Sequence, residues 1–367
     1  MNETFDVVVI GGGVMGCASA WLLAKEGLRV RVLERSVPGA EASSAAAGIL
    51  GAQIEAHEAG PMLDLAIASR SRWATWAERL RAETGIDVEY REHGVLQVAR
   101  DPAALDQLAA RAAWQKGAGL EVEELDPRGL RELEPALAEN LLGGIRFAKD
   151  AHLNPVRLLE ALHIAASKAG ASFTTGTYVT HIERSENRAR GVVLDDGSRI
   201  EAKHVVVAAG SWSSLIDGIP VDRGTIRPAR GQIVELSMRE PVLRHVVFGP
   251  GCYLVPRDDG RILVGSTMEL VGYRREVTAK AVRDLLDAAL KLAPCLEAAT
   301  LGRTWSSFRP YTTTGRPLLG PTPIEGLVLA TGHFRNGILL APITADIVRA
   351  TVLGEEPPID LAPFALT

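Results

Sequence analysis

The chain has little cysteine, few aromatic residues and no strong excess of either charge, and each shortage closes a class of function. Cys17, Cys252 and Cys295 are the three cysteines in 367 residues. They are too few and too scattered for a disulfide framework or a Cys-rich zinc site. They suit a reducing compartment, so the expected location is the cytoplasm. The eight histidines show no HxxxH or HxH spacing, and no dedicated metal site is expected. Forty Lys plus Arg against 45 Asp plus Glu leave a net charge of −5, too small and too mixed for nucleic acid or an anionic membrane as the main partner. The apolar run from Val7 to Ala24 follows Asp6 rather than a basic region and is interrupted by Gly11, Gly12, Gly13 and Gly16. That argues against a signal peptide or membrane anchor. A GxSxG elbow, a GxxxxGK loop, a CxxC pair and an obvious carboxylate pair are also missing.

Glycine is abundant. Its count of 36, about a tenth of the chain, exceeds the usual share of about 7%. The length fits two domains, or one with a large insertion. Phe5–Ile10 reads as a strand buried on both faces, Val14–Glu26 as a helix stopped by Gly27, and Leu28–Leu33 as a second strand. This β–turn–α–β unit opens a doubly wound sheet. Further on, 61–84 has the spacing of one long amphipathic helix, 88–99 reads as strand, and 102–116 and 154–169 read as helices. Hairpins are expected around Asp195-Asp196-Gly197 and Asp258-Asp259-Gly260, with His204–Gly210 as a separate buried strand. Strand 326–330, loop 332–336 and helix 337–353 close the chain.

Gly11-x-Gly13-x-x-Gly16 lies between that first strand and helix, and Glu34 ends the next strand. Gly11 permits the turn, Gly13 lets a pyrophosphate approach the backbone, and Gly16 lets helix and strand pack closely. The helix N-terminus favours phosphate charge. Glu34 can bind both ribose hydroxyls, which favours FAD or NAD over NADP, although Arg35 leaves an opening for a phosphorylated ribose. The motif alone does not choose FAD over NAD. Ser43–Gly48 (SSAAAG) could pass beneath a flat ring or form a tight interdomain turn. His204–Gly210 with Ser211-Trp212-Ser213 could return a strand to the nucleotide or be ordinary core.

The segment Gly332–Thr344 (GHFRNGILLAPIT) resembles the C-terminal flavin motif of glycine oxidases of the thiamine-biosynthesis type, within the D-amino-acid oxidase superfamily of flavoproteins. The likeness extends through VVVIGGGVMG, SSAAAGILGA, HVVVAAGSWS, CYLVPRDDGRILVGSTME and FRP. It implies an FAD-binding, doubly wound (Rossmann-like) α/β domain interleaved with a smaller α+β substrate domain built on an antiparallel sheet. The FAD domain would take residues 1–85, 146–222 and 310–367, and the substrate domain 86–145 and 223–309. Noncovalent FAD would meet Gly11, Gly13, Val14, Met15, Gly16, Glu34, Arg35, Ala42, Ser43, Ala47, Gly48, Ile49, Val179, Gly210, His333, Phe334, Asn336, Gly337, Ile338 and Leu339. Arg309 would grip the substrate carboxylate, Arg335 would supply a second cation, and Tyr253 would close over the carboxylate and donate its hydroxyl. Without the resemblance, a surface arginine or a core tyrosine accounts for each of these residues.

The resemblance further implies oxidative deamination of glycine, sarcosine or a small D-amino acid such as D-alanine, with hydride transfer from Cα needing no general base. Oxygen would give hydrogen peroxide, and the glycine imine would pass to the thiazole-forming machinery. It also suggests a homotetramer. Gly251 stands where some relatives carry histidine, Tyr311 to Gly315 depart from the usual turn, and Gln53 and Ile54 differ near the pocket, so substrate preference is open. No cysteine follows Arg309 as in the sarcosine oxidases that tether their flavin. The alternatives are a dehydrogenase or a cyanide-synthase-like subunit with another electron acceptor, and a flavin-binding subunit without turnover.

Overall fold

Val7, Val8 and Val9 are completely buried, as a strand covered on both faces requires. In the computed structural model, which describes residues 4–366, Phe5–Ile10 is a central strand of an eight-stranded sheet. The main order is Leu318–Pro321, Leu327–Thr331, Arg199–Val207, Phe5–Ile10, Val30–Glu34, Ser172–Thr175. The last five of these run parallel, and Leu318–Pro321 is antiparallel to its neighbour. The hairpin Val179–Ser185 and Arg188–Leu194 extends from Arg199–Val207. The helix Val14–Lys25 is buried along nearly its whole length, packed against Pro155–Lys168 and Gly337–Leu353.

A second eight-stranded sheet has the order Thr300–Thr312, Ile226–Ser237, Arg261–Gly265, Cys252–Pro256, Val246–Gly249, Val95–Ala99, Gly143–Phe147, Glu123–Leu125. It is antiparallel except where Val246–Gly249 meets Val95–Ala99. The helix Ala279–Leu292 buries Leu285, Ala289 and Leu292 against it. The expected domain borders at 145/146 and 309/310 fall inside Gly143–Phe147 and Thr300–Thr312, both strands of this second sheet. Residues 1–3 and 367 of the expected FAD domain lie outside the described residues.

Three elements differ from expectation. The long helix over 61–84 is two helices, Pro61–Arg70 and Trp73–Thr84. Both lean on the C-terminal helix Gly337–Leu353, where Pro342 has no amide to donate and disturbs the turn before it. Ser69 Oγ and Trp73 Nε1 donate to the Leu339 carbonyl at 2.7 and 2.9 Å, and Arg72 pairs with Asp346 at 2.7 Å. Each half is thus docked separately. In 88–99 only Val95–Ala99 is strand, because Arg91 bridges to His152 instead. The hairpin strand after Asp195-Asp196-Gly197 and the strand expected over His204–Gly210 are one strand, Arg199–Val207, which ends before Gly210 and serves the hairpin at one end and the parallel sheet at the other.

Among the described residues, Phe334–Leu353 is long and apolar enough to cross a membrane by length and composition, but most of it is buried inside the protein. No group of three or more His, Cys, Asp or Glu among the described residues could hold a metal.

Candidate active site

Backbone builds one end of the site. Gly11 has φ +104°, and a Cβ there would lie 2.5 Å from the Ala208 carbonyl oxygen. A Cβ at Gly16 would come within 1.8 Å of the Gly11 oxygen, so the helix packs this closely only with glycine. Gly13 at the N-cap of Val14–Lys25 brings no side chain and no acid occupies the first turn; Ser43 takes the Val14 amide, and the remaining positive end is left for an anion. Glu34 is buried and accepts from the amides of Gly12 at 2.7 Å and Ser36 at 2.8 Å. Carboxylate oxygens have further lone pairs, so ribose hydroxyls can still be met. Arg35 pairs with Glu41 and stacks on Trp212 at 3.7 Å. That guanidinium is committed to protein partners, and the opening for a phosphorylated ribose gains no support.

The middle of the site is a bare loop. Ala42–Ala45 forms one helical turn, and Ser43 Oγ accepts from the Val14 amide at 3.0 Å. Gly48 has φ +83°, with space for no side chain because a Cβ would lie 2.1 Å from the Leu153 oxygen. Opposite stand His333 to Ile338. His333 is 3% exposed, and its Nε2 lies 3.0 Å from Thr344 Oγ1. Burial pushes its imidazole down to about 3, so it stays neutral near pH 7. Tyr311 packs edge-on against Phe334 with centroids 5.0 Å apart. It backs this segment and is absent from the lining of the cleft.

Strands of the second sheet carry the third part. Arg309, opposite Ala229 in the register of Thr300–Thr312 with Ile226–Ser237, donates from Nη1 to Thr267 O at 3.1 Å and from Nη2 to Ser266 Oγ at 2.6 Å. Among the described residues no acid pairs with it. Gly231 makes room, since a Cβ there would sit 2.2 Å from Arg309 Nη1. Gly265 does the same for Tyr253, whose ring would be 2.4 Å from an added Cβ. Arg335 pairs with Glu55 at 2.8 Å.

These parts line one cleft enclosing about 1680 Å³ of atom-free space, partly open to solvent. The cleft brings together Arg309, Arg335, Tyr253 and all the expected cofactor contacts except two. Gly16 acts behind the cradle through packing. Leu339 is 1% exposed and lies outside the lining, its carbonyl serving Ser69 and Trp73. Gln53 and Ile54 are also buried away from the cleft. Gln53 binds Gln115, Glu121 and Arg70 in a network around buried Asp150. Gly251 lies outside the lining, at a turn with φ +83°. Sequence reasoning missed Glu41 and Glu55, which line the cleft but belong to no local motif, and gave no role to Ser266, which lines it from within CYLVPRDDGRILVGSTME. None of the three cysteines lines it.

The acid-free helix start behind Gly13, a glycine cradle that added Cβ atoms would fill and a buried acid at its far end fit a dinucleotide such as FAD. Over residues 6–351 the chain matches the family described as FAD dependent oxidoreductase. It is 38% identical to the glycine oxidase of Geobacillus kaustophilus, across 100% of this chain and 98% of that protein. It is 37% identical to the bifunctional protein ThiO/ThiG of Synechocystis sp., across 97% of this chain but 53% of that one. The crystal structure of the Geobacillus kaustophilus glycine oxidase superposes with a TM-score of 0.94 at 37% identity, covering 100% of this chain and 99% of that one. Similarity of this extent, over a cleft shaped for a dinucleotide, makes the chain a member of the FAD dependent oxidoreductase family, an enzyme with FAD as its cofactor.

Proposed function

We propose that the enzyme oxidatively deaminates glycine and other small amines or D-amino acids, sarcosine and D-alanine among them. The observation that carries this reading is Arg309, a cation on the cleft wall with hydrogen bonds to Thr267 and Ser266 but no acid of its own among the described residues. Arg335, by contrast, is already neutralised by Glu55. One uncompensated guanidinium calls for one carboxylate, which selects a monocarboxylic substrate.

When bound, FAD supplies the acceptor for the two electrons and the hydrogen that leave the substrate Cα. Arg309 would hold the carboxylate through two N–H donors and thereby fix which side of Cα faces inward. The Tyr253 hydroxyl would donate to the same carboxylate. No carboxylate lining the cleft is free to act as a base. Glu34 accepts from two amides, Glu41 pairs with Arg35 and Arg275, and Glu55 pairs with Arg335. Chemistry that needs no general base fits that arrangement. The overall balance is one amino acid, oxygen and water giving a keto acid, ammonia and hydrogen peroxide.

The same reading has the glycine imine feeding the thiazole moiety of thiamine, a link supported by the similar bifunctional protein ThiO/ThiG. It also includes a cytoplasmic setting, in keeping with three free cysteines, and a homotetramer. Purified enzyme supplied with FAD, air and glycine should release peroxide and ammonia in equal amounts. Turnover only with an artificial electron acceptor would make it a dehydrogenase. Failure with glycine, sarcosine and D-alanine alike would end the reading.

A further inference from the structure

The strand Cys252–Pro256 delivers Arg257 into the interior, where it is 6% exposed. Buried charges are normally paired, yet no acid pairs with Arg257 among the described residues. Its Nη2 donates to the Ala47 carbonyl at 2.7 Å, and its Nη1 is buried without a hydrogen-bond partner. Burial pushes the guanidinium down to about 10, so it is still a cation at neutral pH. His152, 4% exposed, registers that charge: burial first and Arg257 second push its imidazole down to about 3.

Arg257 does not line the cleft; it acts on the loop that does. Trp305 Nε1 holds the Ala45 carbonyl at 3.0 Å as Arg257 holds that of Ala47. In a planar trans peptide the next N–H points the opposite way. Anchoring the Ala47 carbonyl on Arg257 therefore turns the Gly48 amide away from Arg257, within the stretch Ala47, Gly48 and Ile49 that lines the cleft. Gly48 tolerates no side chain there, so a ring lying on this loop meets bare backbone with a buried cation one residue behind it. In a low-dielectric interior such a charge acts strongly on electrons added nearby.

We propose that Arg257 is a positioning residue for the flavin: it sets the orientation of the Ala47–Gly48 peptide, and its unpaired positive charge favours the electron-rich, reduced form of the bound cofactor. This rests on the flavin ring lying against residues 47–49.

The test uses the full-length, FAD-loaded enzyme with Arg257→Gln, which keeps an amide donor but loses the charge, and Arg257→Lys, which keeps the charge. Two quantities are read on the flavin-bound fraction: the two-electron midpoint potential, and the Kd for sulfite, which adds to the oxidised ring and leaves negative charge on it. R257Q should bind sulfite about tenfold more weakly and lose about tenfold of its preference for the reduced state, which is about 30 mV for a two-electron couple. R257K should stay within about threefold of wild type in both. Wild-type values in R257Q would overturn the proposal, even if its melting temperature fell, because Arg257 would then only hold the fold. Should R257Q retain no flavin, R257K decides alone, and a shift there as large as tenfold also overturns it. Neither readout uses substrate, so a wild-type flavin that glycine fails to reduce would sink the proposed substrate and leave this comparison standing.

Discussion

The two ends of the cleft are made of different material. At the proposed nucleotide end the groups on offer are backbone amides, a helix terminus and one acid, all within residues 11–36. At the proposed substrate end they are long side chains, Arg309, Tyr253 and Arg335, brought together from strands and a loop far apart in sequence. The first end tolerates almost no added atom, since Gly11 and Gly16 both abut carbonyl oxygens. The second has been cleared by Gly231 and Gly265 so that large side chains can enter. Damage to the first should therefore cost the cofactor, and damage to the second should cost turnover while the cofactor stays.

The largest effect is expected from Gly16→Val, whose Cβ alone would fall 1.8 Å from the Gly11 oxygen. The purified variant should carry almost no flavin by absorbance, and normal flavin content would break the contrast. Next comes Arg309→Met, with flavin content unchanged and kcat/KM for glycine lowered by roughly 100-fold, about 3 kcal/mol for removing one side of a close charge pair. Steady-state kinetics with flavin-normalised enzyme would show it.

A smaller effect concerns pH. His333 has its folded-state value pushed down to about 3 from an ordinary 6.5, so between those values the unfolded chain holds the extra proton. Stability is then complete above about pH 6.5 and falls as pH drops towards 3. Melting temperatures from pH 7 to 4 should decline less steeply in His333→Asn than in wild type, and equal slopes would contradict the buried neutral imidazole. The smallest effect is expected from Glu55→Gln. Its partner Arg335 is about half exposed, and such ion pairs contribute about 0–1 kcal/mol, so KM for glycine should move by less than about fivefold.

The same contrast explains what could be read from sequence. Gly11, Gly13, Gly16 and Glu34 speak through spacing, because a phosphate cradle is local and its glycines have few other reasons to stand at those intervals. Arg309, Tyr253 and Arg335 carry no such spacing, and they came forward only through likeness to known flavoproteins. Glu55 was invisible because loop path, not sequence distance, brings it to the cleft, and Ser266, though inside a quoted segment, had no role until register set it beside Arg309. Leu339 falls outside the lining for a similar reason: the C-terminal helix sends Gly337 and Ile338 to the cleft, while Ser69 and Trp73 take the Leu339 carbonyl. The break at residues 71–72 follows from that same helix, and apolar spacing along 61–84 contained no sign of it.

The central claim is that this cleft holds FAD at one end and an amino-acid carboxylate on Arg309 at the other. Anaerobic titration of the flavin absorbance with glycine, in wild type and Arg309→Met at equal flavin content, tests both ends at once. The account predicts that wild type bleaches and the variant stays yellow at the same glycine concentrations. Equal bleaching of the two would contradict it, because the carboxylate would then be held by something other than Arg309.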